Sequence, residues 1–238
     1  MYGIDVSGGL AVLATAGPQP ARVVGTAASL EDLGHMAPGL AGPTAAAAAA
    51  YANDVERQAL RDAVIAAGFE RVCLINRPTA ALWAYRELAG LDGSNFVVVE
   101  CGPGRTEITL ARSDGPGYEI LRADGLEIPD FDPDGQTVWI AGVLRGAPNL
   151  APSAVVVIGD RRRCRDMAAL LESALGVPVR AELDPETVVA LGAAIFATRQ
   201  PPAIVEARVA EPEPMVRTSR FGCAAVLAIV SLVGWRLV

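Results

Sequence analysis

The chain of 238 residues contains no lysine, so all 20 of its basic residues are arginine. Any mechanism that needs a lysine, for Schiff-base chemistry or for holding a phosphate, is thereby excluded. Histidine occurs once, as His35 in a stretch rich in glycine and proline. That setting argues against a histidine-dependent catalytic triad, and no metal centre can be assembled from imidazoles. Cys73, Cys101, Cys164 and Cys223 are widely separated, and no two stand at a zinc or redox spacing. That pattern suits buried free thiols in a reducing compartment. Positive charge is short as well: 20 basic residues face 27 acidic ones, for a net charge of -7. A nucleic-acid partner is excluded on that ground, because a phosphate backbone demands a basic face. No basic, apolar leader precedes the first strand, so no signal peptide is expected.

What is present is an alternation of helix and strand signals. From Tyr51 the chain reads as a helix capped by Asn53, with Glu56 completing a capping box and Leu60, Ala63, Val64 and Ala67 on one face; Gly68 stops it. Val72 to Ile75 is a short buried strand, and Pro78 opens a second helix. Nearer the start, Gly3 to Val6 and Leu10 to Ala14 form a hairpin around Ser7, Gly8 and Gly9, with Asp5 at the strand end and a third strand at Arg22 to Gly25. The same plan returns in the second half. Phe96 to Val99 leads to Glu100-Cys101-Gly102-Pro103-Gly104, and return strands follow at Thr106 to Ala111 and Tyr118 to Arg122. An acidic residue at a strand end beside a glycine turn can hold a hydrated cation while backbone N–H groups face a phosphate. Asp130, Asp132 and Asp134 resemble half a calcium loop, but without its glycine and distal glutamate a polar turn is expected; Val138 to Leu144 reads as a short helix. Further on, Val155 to Ile158 is a buried strand, Gly159-Asp160 a turn, and Arg161 to Leu175 a helix stopped by Gly176; Thr187 to Thr198 is the last helix. Arg161-Arg162-Arg163 reads as an anion site or as a solvated cluster. Ala45 to Ala50 has high helix propensity but buries little surface, and reads as a connector.

These residues resemble the Hsp70 ATPase domain of the actin superfamily. Tyr51-Ala-Asn-Asp followed by Asn76-Arg-Pro-Thr-Ala-Ala is similar to the family's Tyr-x-Asn-Asp helix and Asn-Glu-Pro-Thr-Ala-Ala turn. The resemblance implies an α/β fold of the actin-like ATPase, ribonuclease H-like kind. Its two duplicated lobes would lie at about 1–90 and 91–200, with too few residues for the family's inserted subdomains. It also implies a nucleotide cleft formed by Asp5, Ser7, Gly8, Gly9, Glu100, Gly102, Gly104, Gly159 and Arg163, the last lying over the base. If magnesium binds, Asp5, Glu100 and Glu186 would hold it.

Against the family's pattern, however, the chain has lost the parts that do phosphoryl-transfer work. The phosphate-contacting lysine is missing, the glutamate serving metal and water becomes Arg77, and Pro103 stands where a loop glycine would offer an N–H. Asp160 replaces a glycine of the adenosine loop. The expectation is therefore a pseudo-ATPase without cofactor, acting as an interaction or scaffold module. The alternative is a minimal ATP- and magnesium-dependent protein that switches with nucleotide.

After a linker at 201–220, rich in proline, glutamate and alanine, comes Phe221 to Trp235, a run of 15 residues without a charge. At ~1.5 Å per residue it reaches about 22 Å, and counting on to Val238 brings it near the roughly 30 Å of a bilayer core. A membrane segment at 221–238 is expected, the other readings being an apolar tail helix or a span cut short. Arg217 and Arg220 before it, against Arg236 after it, point to a single pass with the N-terminal domain cytoplasmic. The layout, with an arginine- and alanine-rich composition, is similar to that of actinobacterial proteins associated with type VII secretion. That likeness implies as partners a membrane and a protein of a secretion complex.

Overall fold

A computed structural model describes residues 1–7, 10–28, 32, 42–52 and 54–199. The chain opens with β1 (Tyr2–Ser7), β2 (Leu10–Thr15) and β3 (Arg22–Ala27). It continues through β4 (Gly42–Tyr51), α1 (Asp54–Ala66), β5 (Phe69–Asn76) and α2 (Arg77–Ala89). The second half contains β6 (Asn95–Gly102), β7 (Arg105–Asp114), β8 (Gly117–Glu127), α3 (Pro133–Arg145), β9 (Ala154–Gly159), α4 (Arg161–Leu175), β10 (Val179–Arg180) and α5 (Val188–Arg199). Two five-stranded sheets result, ordered β3-β2-β1-β4-β5 and β8-β7-β6-β9-β10. In each, the first three strands run antiparallel and the last two join in parallel, so the second sheet repeats the plan of the first. The expected duplication of an actin-like α/β fold is thus present, and between β8 and β9 there is one helix rather than an inserted subdomain.

Three apolar clusters define the layers. α1 covers the outer face of the first sheet through Val64, against Ile4, Leu13 and Phe69. On the outer face of the second sheet, α3 and α4 pack through Ile140, Met167 and Leu171 against Val97, Val155 and Val157. Between the sheets lie α2 and α5, whose Leu82, Trp83, Tyr85, Val189 and Ala193 meet Val12 and Ala48 on one side and Phe96, Val98 and Val156 on the other. Parallel strands covered on both faces become continuously apolar, as Ala154 to Ile158 of β9 is. Trp83 and Tyr85 belong to this core, Trp83 meeting Tyr118 and Phe196 edge-on or tilted.

The middle layer is tight enough to dictate residue size. A Cβ on Gly192 of α5 would lie 1.7 Å from the Ala80 carbonyl oxygen of α2, and one on Gly3 of β1 would lie 2.0 Å from the Ala190 oxygen. The same closeness explains a departure from the sequence reading. The alanine run is neither helix nor connector but β4, paired in parallel with β1 and β5, with Ala47 to Ala50 at most 1% exposed. Its intrinsic preference for helix yields to tertiary packing, and alanine is what fits where α5 approaches a central strand.

Helix ends follow local chemistry. Asn76 caps α2, accepting a hydrogen bond from Thr79 N–H at 2.8 Å, Pro78 sits in the first turn, and Gly90 ends it at φ 62°. Asp132 caps α3 by accepting from Gly135 N–H at 3.1 Å, so the acidic turn is a helix start. The expected capping box at Asn53 lies outside the described residues, as do Gly8, Gly9, the linker at 201–220 and the segment 221–238. Among the described residues no helix is long and apolar enough to cross a membrane.

Candidate functional site

Asp5 is the third residue from the end of β1, and Glu100 the third from the end of β6. In the duplicated plan they are equivalent positions, brought close enough to share one side chain. Asp5 is 1% exposed and Glu100 19%. Two carboxylates so placed need a counter-charge, because burying an unpaired charge costs several kcal/mol. Arg77 supplies it. As the first residue of α2, fixed between the cap Asn76 and Pro78, it is 2% exposed. Its Nη1 donates to Asp5 Oδ1, and its Nε donates to Glu100 Oε1 at 2.8 Å. Burial would lower the guanidinium's pKa, but the charges of Asp5 and Glu100 and the hydrogen bonds to them outweigh it, and the net direction is upward. Glu100 is shifted above the ordinary glutamate range, chiefly by burial, with Asp5 adding to the rise and Arg77 opposing it.

Above this triad opens a cleft of about 360 Å³, lined by residues of both sheets and of the α4 and α5 approaches. Arg163 crosses one wall: its Nη1 donates to the Gly102 carbonyl at 2.6 Å, and its guanidinium lies 5.2 Å from the Phe131 ring centroid. Gly159 N–H donates to the Pro185 carbonyl and Asp160 N–H to that of Cys101, each at 3.0 Å. Gly159 has φ 111°, and a Cβ there would stand 2.5 Å from the Cys101 oxygen, so only glycine closes this turn without strain. The Asp160 side chain caps α4, accepting from Arg163 N–H at 2.9 Å.

Of the residues singled out by sequence, Glu100, Gly102, Gly159, Arg163 and Glu186 line this cleft, and Asp5 is joined to it through Arg77. Ser7 ends β1, and Gly104, at φ 73°, turns the chain between β6 and β7. Glu186 turns toward Arg161, which pairs with it at 3.6 Å and with Asp184 at 2.8 Å, so the arginine cluster at the start of α4 is partly neutralised. Asp5, Glu100 and Glu186 do not converge: among the described residues no group of three or more His, Cys, Asp or Glu side chains is gathered for a metal. The donor set does not fit magnesium, because Asp5 and Glu100 are both bonded to the Arg77 guanidinium.

Two features were hidden from sequence reasoning. The replacement at Arg77 was legible as an inverted charge, but its bonds to both acids were not; the clue was two acids at equivalent strand ends with one buried basic residue to share. Cys101 and Cys164, far apart in sequence, bring their thiols into hydrogen-bonding contact, which together with burial pushes the Cys164 thiol upward. The Cys164 thiol is therefore not poised for thiolate chemistry.

A duplicated sheet plan with helices shared between the halves and a cleft over paired strand-end acids defines an Hsp70-like, actin-like ATPase fold. The chain belongs to a family of unknown function, DUF7159, whose profile matches residues 17–208. A heat shock 70 kDa protein, BIP3, of Oryza sativa subsp. japonica is 40% identical over 89 residues, covering 35% of this chain and 13% of that protein. A chaperone protein HscA homolog of Burkholderia cenocepacia is 34% identical over 143 residues, covering 57% of this chain and 21% of that one. This chain thus spans about a fifth or less of the length of these relatives. Among solved structures, the ethanolamine utilization protein EutJ from Carboxydothermus hydrogenoformans superposes with a TM-score of 0.56 at 18% identity, covering 82% of this chain and 89% of that one; the likeness is one of fold.

Proposed function

We propose that this protein is an Hsp70-like pseudo-ATPase, a domain that keeps the ATPase fold as a protein-interaction module and does not turn over nucleotide. The observation that carries the reading is the Arg77 guanidinium bonded to both Asp5 and Glu100. Phosphoryl transfer rests on positioning and charge neutralisation, and here the acids that would position a magnesium ion are neutralised already. The chain has no lysine to take over the phosphate contact, and Pro103 offers the cleft no N–H. The module would be anchored by the segment 221–238 with the folded part on the cytoplasmic side, as the charge-free run Phe221 to Trp235 and its flanking arginines suggest. A role beside a type VII secretion complex is supported by layout alone.

A second reading, a nucleotide-switched protein, is favoured by Arg163 standing over the cleft and by the turn at Gly159. Titration of fluorescent ATP into the purified full chain in detergent, with and without magnesium, separates the two. No saturable binding is expected. Micromolar, magnesium-dependent affinity would replace the first reading with the second.

A further inference from the structure

We infer that Arg77 is an internal counter-cation that ties the cleft-side ends of the two sheets together without any ligand, so that the surface offered to a partner does not vary with nucleotide. The inference rests on the proposed reading in one respect, that no magnesium–nucleotide complex competes for Asp5 and Glu100. Away from the cleft, the sheets are joined by the apolar layer of α2 and α5. At the cleft the situation differs, because the approaching strand ends carry like charges at equivalent positions, Asp5 beside Ala50 of β4 and Glu100 beside Ile158 of β9. Left alone, two buried carboxylates push these ends apart. Arg77 reverses the sign of that interaction: one planar fork, rigidly held at a helix start, bonds one acid through Nη1 and the other through Nε. Whereas a diffusible cation would close such a cleft only when bound, a side chain closes it always. The occupant of the cleft is then part of the chain, and a partner reads one constant state.

Amide hydrogen exchange of the full chain in detergent tests this, comparing peptides at 3–7 and 99–105 with core peptides at 82–85 and 190–197. In the wild type the strand ends are expected to exchange at the same rates, within about twofold, with or without magnesium and ATP. In Arg77→Gln they should exchange at least tenfold faster, at labelling times short enough that the core peptides, which exchange only when the whole fold opens, are still protected, and millimolar magnesium should restore part of the protection. Strand ends that stay at wild-type rates in a folded Arg77→Gln overturn the inference, as does a wild type whose ends respond to magnesium and ATP. If Arg77→Gln does not fold, Arg77→Lys decides: an intermediate rise at the strand ends supports a two-pronged tie, and wild-type rates overturn it. ATP that binds without altering exchange removes the pseudo-ATPase reading and leaves the tie. No binding, with unchanged strand ends in Arg77→Gln, does the reverse.

Discussion

Replacing Arg77 by methionine keeps much of the side chain's apolar length and removes its charge, leaving Asp5, 1% exposed, opposite Glu100 with no cation between them. Breaking a buried ion pair by deleting one partner costs about 3–5 kcal/mol, since the surviving charges stay desolvated without the guanidinium. A domain of this size loses roughly 2–4 °C of Tm per kcal/mol, which sets the expected fall at about 6–20 °C. Arg77→Lys should lose less, because it keeps the charge but offers no fork to reach both acids. The variant should also gain what the wild type lacks: with both carboxylates released, millimolar magnesium should raise the Tm of Arg77→Met and leave the wild type unmoved, following the logarithm of cation concentration. Circular dichroism melts of both proteins at several magnesium concentrations are the assay. A loss under about 1 kcal/mol, or equal responses to magnesium, would refute the reasoning.

Glu100→Gln tests the direction of its shift. A glutamate whose folded pKa lies above its unfolded value contributes stability fully below the ordinary glutamate range and loses it as pH rises through the folded value. Relative to the variant, the wild type should therefore weaken from about pH 4.3 upward; urea midpoints measured from pH 4 to 8 check this, and a gap that moves the other way contradicts it. Gly192→Ala drives a methyl into the Ala80 carbonyl, 1.7 Å from the ideal Cβ position, and should destabilise the fold by about 1–3 kcal/mol or more in a denaturant melt. An unchanged midpoint would mean α2 and α5 are not packed as described. Asp160→Ala removes the α4 cap and should cost about 1 kcal/mol in the same melt, whereas a gain would favour reading Asp160 as an obstruction in the cleft.

Much of the architecture was legible because its signals are local. The helix Arg161 to Leu175 was bounded by a turn before it and Gly176 after it, and it stands where expected. Phe96 to Val99 and Val155 to Ile158 announced buried strands by continuous apolar character, and the repeated acid-plus-glycine turn announced the duplication. The alanine run was not legible, since alanine favours helix and only the approach of α5 makes it a strand. β10 has two residues, too few for any periodicity. At the cleft, individual residues were recognisable from their motifs, but the bonds among Asp5, Arg77 and Glu100 join positions 72 and 23 residues apart, and so appear only in the fold.

The claim on which the rest depends is that a guanidinium stands where a divalent cation would be needed. Manganese binding to the full chain, followed by the electron paramagnetic resonance signal of free Mn²⁺, addresses it most directly. The wild type should leave the signal of free ion undiminished through the millimolar range, and Arg77→Gln should remove one equivalent. A stoichiometric site in the wild type that disappears in Asp5→Asn would show that Arg77 yields its place to metal, and would contradict the account.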